Sequence, residues 1–278
     1  MNDRIQDDHY SAPNPDDILS RAANARYTSA IDLRNAYNQV KLTERSKKYT
    51  AFRFLNYSLE LNRMPAGLKI ASMVFQRLID RVLRGTHSFA SALIDDVIIY
   101  SDTFERKIED VKEVLRRLAD AGLTANVSKC RFVLPKLKVL GRVIEDGQIK
   151  ICDDKVDAIM KLNEPRNKRQ VKMILGTFGY HRAHIRDLST IAQPLVDLLK
   201  KDQPDRVLWR PAQQSAFDDL KRQIVAKPCL NPPDHSHGYA MQTDASATAI
   251  SLVLMQRIEG EERVIGYASK RLTPAQTR

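Results

Sequence analysis

Two adjacent carboxylates, Asp95 and Asp96, sit inside the otherwise apolar run Ala92-Leu93-Ile94-Asp95-Asp96-Val97-Ile98-Ile99-Tyr100-Ser101. An ionised carboxylate in apolar surroundings needs something to offset its desolvation, and two neighbours also repel each other. A bound cation is the natural compensation. The four other Asp-Asp pairs, Asp7/Asp8, Asp16/Asp17, Asp153/Asp154 and Asp218/Asp219, lie in polar or helix-start contexts where solvent accounts for them. A third acid, Asp32, lies near the end of the strand-like run Tyr27-Thr28-Ser29-Ala30-Ile31-Asp32-Leu33. If that strand pairs beside the Asp95/Asp96 turn, three carboxylates converge, which is the ligand supply of two-Mg²⁺ phosphoryl transfer. Each feature has an ordinary alternative: a solvated hairpin turn for Asp95/Asp96, and a helix N-cap or Asx-turn for Asp32.

The elements that must position these acids are readable around them. Ile94, Val97, Ile98 and Ile99 are β-branched and predict two short strands with the aspartates at the tight turn between them. Before them, Ser46-Lys47-Lys48-Tyr49-Thr50-Ala51-Phe52-Arg53-Phe54 leads basic residues into a strand, a turn at Asn56 and a return strand at 58–61. That hairpin carries cations, and Lys47, Lys48 and Arg53 are candidates for phosphate contacts, with arginine best suited to bidentate ones. Met64-Pro65-Ala66-Gly67-Leu68-Lys69 opens an amphipathic helix over 70–84 whose buried stripe is Val74, Phe75, Leu78, Ile79 and Val82. A short helix is expected over 16–22, another over 106–121 with Val111, Val114, Leu115 and Leu118 inward, and two short strands over 123–144 around Pro135. Beyond Asp153, capped by the pair Asp153/Asp154, come helices over 153–162, 168–185 and 188–201. A further helix over 213–224 precedes a meander of strands over 239–243, 250–256 and 263–269. Strands and helices mix without a regular βαβ alternation, so the expected class is α+β.

Composition narrows the field. With 278 residues, 43% of them hydrophobic, the chain can build two or three modules. No apolar run approaches a membrane span and the polar start lacks a signal peptide's pattern, so a membrane partner and secretion are not expected. Cys130, Cys152 and Cys229 are odd in number and widely spaced, which points to reduced thiols in an intracellular setting and to oxygen rather than sulfur as metal donor. A net charge of +11 suits a polyanionic partner.

With these residues in view, the chain resembles the polymerase region of long-terminal-repeat retroelements of the Ty3/gypsy type and, more distantly, retroviral reverse transcriptases. Three ordered blocks carry the resemblance: Ile31-Asp32-Leu33-Arg34-Asn35-Ala36-Tyr37-Asn38-Gln39, then Met64-Pro65-Ala66-Gly67-Leu68 with Phe75-Gln76, then Ile94-Asp95-Asp96. The resemblance implies an RNA-directed DNA polymerase of right-hand architecture: fingers and palm over 1–145, a helical thumb or connection over 146–205, and a partial ribonuclease H-like module over 206–278. It implies two Mg²⁺ ions, or Mn²⁺, on Asp32, Asp95 and Asp96, and a nucleotide pocket at Leu33, Tyr37, Lys47, Lys48, Arg53 and Ala66. In that pocket the Tyr37 ring would exclude a ribose 2′-hydroxyl. Leu175-Gly176-Thr177-Phe178-Gly179-Tyr180-His181-Arg182 looks like the family's thumb, with Gly176 and Tyr180 towards nucleic acid. Thr243-Asp244-Ala245-Ser246 looks like the first catalytic block of a ribonuclease H. The implied partners are an RNA or DNA template-primer and dNTPs, with a second copy or other polyprotein segments beside them, in a cytoplasmic particle or the nucleus.

The sequence also departs from the family pattern. The tyrosine expected before x-Asp-Asp is Leu93, the phenylalanine of Met-Pro-Phe-Gly is Ala66, Asn-Ala-Pro is Ile70-Ala71-Ser72, and two glycines after Thr-Asp-Ala-Ser are Ala249 and Ser251. The family's N-terminal finger strands and the later acids of its ribonuclease are expected to be missing. A decayed copy that binds template-primer without extending it is the alternative reading. Another two-metal phosphotransferase would keep the acids but leave Tyr37 and the thumb-like helices unexplained.

Overall fold

The computed structural model describes residues 2–134, 136–226, 228–273 and 275–276. Pro135, about which two strands were expected, and Pro274, Thr277 and Arg278 at the end of the chain lie outside the described residues. The polypeptide packs as two units, Met1–Leu140 and Gly141–Arg278.

In the first unit the helix α1 (Pro15–Asn24) starts as its sequence dictates, with the Asn14 side chain accepting the Asp16 amide and proline at the first turn. The strand β1 (Tyr27–Asp32) follows, then the helical turn α2 (Glu44–Lys47), the hairpin β2 (Phe52–Phe54) and β3 (Tyr57–Leu59), and the helix α3 (Ala71–Val82). The strands β4 (Ala90–Leu93) and β5 (Asp96–Ser101), the helix α4 (Phe104–Asp120) and the short strands β6 (Arg131–Phe132) and β7 (Lys136–Val139) complete it. The central sheet has the order β4-β5-β1-β6. Ile31, Val97 and Ile99 from its strands join Phe75 and Ile79 of α3 and Val114 and Leu118 of α4 in one core. Burying each such side chain contributes roughly 1.5–3 kcal/mol.

Three details of this unit differ from the sequence reading. The α3 stripe includes Gln76, with no exposed surface, whereas Val74, Leu78 and Val82 are only half-buried. In α4, Leu115 faces solvent, while Lys107 and Asp110 are buried. The Lys107 ammonium donates to the carbonyls of Ile99 at 2.6 Å and Tyr27 at 3.3 Å, and Asp110 accepts the Ser101 hydroxyl at 2.8 Å. Those bonds replace water for both groups and pin α4 to the two central strands. Burial pulls the Lys107 pKa down to about 7, against the opposing charge of Asp110. Finally, Lys47 and Lys48 lie on helical turns before the hairpin, so only Arg53 of the three cations is on it.

The second unit begins with the hairpin β8 (Arg142–Glu145) and β9 (Gln148–Ile151). Helices α5 (Asp153–Met160), α6 (Lys168–Tyr180), α7 (Leu188–Ile191), α8 (Gln193–Asp197) and α9 (Pro211–Val225) follow, then the meander β10 (Tyr239–Ala245), β11 (Ala249–Ile258) and β12 (Glu261–Arg271). Cys152, not the aspartate pair, stands at the N-cap of α5. The helix expected over 168–185 stops at Tyr180, where a 3₁₀ turn takes over at Arg182–His184, and the one expected over 188–201 breaks at Ala192 ahead of Pro194. Phe178 and Phe217 meet edge to face at 6.3 Å in its core. Among the described residues no helix is long and apolar enough to cross a membrane.

His184 is 1% exposed, and among the described residues neither ring nitrogen has a hydrogen-bond partner. Burial, then the nearby Arg142 charge, holds its pKa down at about 3, and the same causes hold His181 near 4. Both rings are therefore neutral in the fold. Below the ordinary histidine value of about 6.5 the unfolded chain takes up protons that the folded one refuses, so stability present above that pH is lost as pH falls towards 4. Replacing His184 by Phe removes two unpaired buried nitrogens and should stabilise the fold by about 1–3 kcal/mol. Urea denaturation at pH 7 and pH 5 checks this: His184→Phe should raise the midpoint and flatten its fall with pH, and a lowered midpoint would show that the imidazole is satisfied after all.

Candidate active site

β1 and β5 run antiparallel from Tyr27 opposite Ser101 to Asp32 opposite Asp96. β4 and β5 close on the two-residue turn Ile94-Asp95, with Leu93 opposite Asp96. Ile94 sits at φ +56°. Positive φ at the first central residue is usual for glycine in a tight hairpin turn, and a β-branched residue there is strained by on the order of 1–3 kcal/mol. The surroundings hold the turn in place. The Leu33 amide donates to the Asp95 carbonyl at 2.9 Å, and the Ile94 amide donates to Gln76 Oε1 at 2.7 Å. On the other side, the Asn126 amide donates to the Asp32 carbonyl at 2.7 Å. Backbone pairing thus brings Asp32, Asp95 and Asp96 to one end of the sheet.

The electrostatics follow from that crowding. Burial first, then the charges of Asp95 and Asp32, push the Asp96 carboxyl up to about 6, while Lys129 acts in the opposite direction. Lys129 Nζ lies 3.5 Å from Asp32 Oδ2. The carboxylates supply oxygen donors of the type a hard divalent cation takes. Among the described residues, no three His, Cys, Asp or Glu side chains are already closed into an ion-holding group.

Beside the acids lies a cavity of about 370 Å³ lined by Asp32, Leu33, Arg34, Tyr37, Ala66, Asp95, Asn126 and Lys129, among others. Tyr37 packs edge to face on Phe75, ring centroids 6.1 Å apart, and its hydroxyl bonds the Ser72 hydroxyl at 3.1 Å. Ser72, one of the departures from the family pattern, therefore fixes the ring. The small Ala66 side chain forms part of the wall.

Lys47, Lys48 and Arg53 do not line this cavity. Lys47 pairs with Glu44 at 2.6 Å, Lys48 Nζ lies 5.2 Å from the Tyr49 ring centre, and Arg53 is exposed opposite Ser58. In the second unit Gly176 and Tyr180 are exposed on α6 at one-turn spacing, in line with the exposed Lys172. Asp244 sits on β10 opposite Ser251, lining a separate cavity of about 570 Å³ with Thr243, Ser269 and Lys270 but no second acid.

Sequence reasoning missed Lys129, Arg34 and Asn126. Their segments carry no periodic signal, and only the fold brings 126–129 to the end of β1. Gln76 had a visible signal: a polar side chain next to Phe75 on an apolar helix face.

The first unit thus carries its three acids at the tip of an antiparallel sheet backed by helices, with a cavity against them. The family model for reverse transcriptase (RNA-dependent DNA polymerase) matches residues 1–144, more than half of the chain, which belongs to that family. A model for the RNase H-like domain found in reverse transcriptase matches residues 209–278. The chain is 34% identical to the retrovirus-related Pol polyprotein from transposon opus of Drosophila melanogaster, over 95% of this chain and 27% of that protein. It is 29% identical to the transposon Tf2-3 polyprotein of Schizosaccharomyces pombe, over 99% of this chain and 21% of that one. These long-terminal-repeat element relatives bear out the Ty3/gypsy-type resemblance, and the chain spans about a quarter of their length. The fold matches the foamy viral protease-reverse transcriptase solved with double-stranded DNA, with a TM-score of 0.89 and 20% identity over 100% of this chain and 48% of that one. A second structure of the foamy viral protein, with an RNA/DNA hybrid, gives 0.85 at 20% identity over 100% and 37%. The α+β class is that of a reverse transcriptase domain followed by an RNase H-like domain.

If the three acids share a cation, Mg²⁺ or Mn²⁺ at a hundred times its dissociation constant should stabilise the fold by about 2.7 kcal/mol. Thermal unfolding of the wild type should shift upward with the ion and that of Asp96→Asn should shift much less. Equal shifts in both would place the cation elsewhere.

Proposed function

We propose that this chain is the polymerase segment of a long-terminal-repeat retroelement polyprotein, adding deoxynucleotides to a primer 3′-hydroxyl on an RNA or DNA template. The observation that carries the reading is the register of Asp32 against Asp96, with Asp95 tethered to Leu33, beside a cavity lined by Tyr37. Members of the family are generally divalent-metal dependent. Asp32, Asp95 and Asp96 would hold Mg²⁺ or Mn²⁺, which when bound activates the attacking hydroxyl and neutralises charge on the triphosphate. The remaining work falls to the protein's own groups. Leu33, Tyr37 and Ala66 form the wall against which a nucleotide sugar would lie, with the Tyr37 ring excluding a 2′-hydroxyl by its bulk. Arg34 and Lys129 bring positive charge to the same cavity. Lys47, Lys48 and Arg53 would meet template or triphosphate phosphates. Gly176 and Tyr180 lie on the helix face that we assign to the template-primer backbone. In this reading 1–145 is fingers and palm, 146–205 thumb or connection, and 206–278 the ribonuclease H-like module.

Primer extension on poly-rA/oligo-dT with Mg²⁺ or Mn²⁺ tests the proposal directly. The wild type should extend, Asp95→Asn should bind the duplex without extending it, and binding should weaken steeply with salt as phosphate contacts do. A wild type that binds but never extends would leave a binding protein in place of a polymerase. Tyr37→Ala should raise rNTP relative to dNTP incorporation; an unchanged ratio would make Tyr37 a packing residue only. On a labelled RNA/DNA hybrid we expect no RNA cleavage, since Asp244 lines its cavity without a second acid. Cleavage that disappears in Asp244→Asn would overturn that expectation.

A further inference from the structure

Gln76 is a polar side chain with no exposed surface, in the middle of the face that α3 turns to the core. Its amide is used at three points. Nε2 donates to the Ala92 carbonyl at 3.0 Å and to Asp80 Oδ1 at 2.8 Å, and Oε1 accepts the Ile94 amide at 2.7 Å. A backbone carbonyl can only accept and a backbone amide can only donate, so Ala92 and Ile94 fix one orientation of the amide, in which Nε2 also reaches Asp80 Oδ1. Asp80 is itself held, because its Oδ2 accepts the Tyr10 hydroxyl at 2.7 Å, with the Arg77 guanidinium carbon 4.9 Å from the Tyr10 ring centre.

We infer that Gln76 is a positioning residue for the Asp95-Asp96 turn, its amide clamping the backbone on both sides of Leu93 and so setting where the two carboxylates stand. The clamp falls where it is most needed. Ile94 is in a conformation its β-branched side chain resists, and Asp96 feels the repulsion of both other acids. Strain and repulsion both favour opening the turn. One side is tied to β1 through the Leu33 amide; Gln76 ties the other to α3. An apolar residue at 76 would leave the Ile94 amide and the Ala92 carbonyl without their partner, and a Glu would set a second carboxylate against Asp80.

The inference rests on the reading that Asp95 and Asp96 serve catalysis, and the test separates the two. The full chain is compared as wild type, Gln76→Leu and Asp80→Leu, the last loosening the amide without touching the turn. Three readouts are taken: amide hydrogen exchange at Ile94, the Mg²⁺ concentration for half-maximal extension, and kcat against KM for template-primer. Gln76→Leu should speed exchange at Ile94 by on the order of tenfold or more, raise the Mg²⁺ requirement several-fold and lower kcat by on the order of tenfold. KM for template-primer should stay near the wild-type value, because binding rests on distributed cations. Asp80→Leu should give the same pattern more weakly. A variant that loses kcat together with duplex binding and global exchange protection would show a merely structural role and overturn the inference. So would unchanged Ile94 exchange with an unchanged Mg²⁺ requirement. If the wild type itself does not extend primers, the function proposed above fails, and the Ile94 exchange still decides whether Gln76 holds the turn.

Discussion

The structure of the first unit turns on one unfavourable register: at the last pair of β1 and β5, two carboxylates, Asp32 and Asp96, stand opposite each other. Like charges opposite one another on an antiparallel pair are destabilising, and the adjacent Asp95 adds to the crowding. The rest of the unit resists the tendency of that end to splay. Ile31, Val97 and Ile99 are fully buried behind the acids, and Ala30, Ile98 and Tyr100 are buried on the opposite face, so sliding the strands by one residue would exchange the side chains fitted to the two covered faces. Further along the same strands the Lys107 ammonium bonds the Tyr27 and Ile99 carbonyls. The acids are thus displayed at the free tip of a sheet whose register is held from behind.

This arrangement explains why the site carries both strain and counter-charge. A turn built for easy geometry would put glycine at residue 94; Ile94 instead buries part of its side chain against the core and accepts a positive φ. Tethers from Leu33 and Gln76 keep it there. Lys129 approaches Asp32 and offsets part of the charge, and on the function proposed above divalent cations would offset the rest. Tyr37 is held with comparable care, its ring on Phe75 and its hydroxyl on Ser72. On the function proposed above, a side chain that discriminates by bulk would need such support, because a ring free to rotate away would exclude nothing.

Much of this is legible in the amino-acid sequence itself. The Asp95/Asp96 hairpin was legible because two charges interrupt a β-branched run, and α3 because its apolar residues recur at helical spacing. The meander over 239–271 was legible from its alternation, although its strands extend further than the alternation alone indicated. What stayed hidden was long-range. Lys107 and Asp110 lie on a strongly charged helix and read as solvated, since nothing local shows that strand carbonyls and the Ser101 hydroxyl wait for them. Lys129 and Asn126 reach the site only because the chain after α4 returns to β1. His181 and His184 carry no sign in sequence that both rings are buried neutral. In the other direction, Lys47 and Lys48 read as a cationic hairpin because they adjoin a strand, yet they sit on the helical turns that precede it.

On the function proposed above, three carboxylates separated in sequence act as one cation site. Titrating Mn²⁺ into the methyl-labelled full chain and following paramagnetic broadening by NMR tests this. The methyl groups of Ile31, Leu33, Ile94 and Val97 should broaden at the lowest Mn²⁺, ahead of every methyl in the second unit, and Asp32→Asn should abolish this preference. Broadening that starts instead at Val156, beside Asp153 and Asp154, or that survives Asp32→Asn unchanged, would show that the three acids do not share the ion.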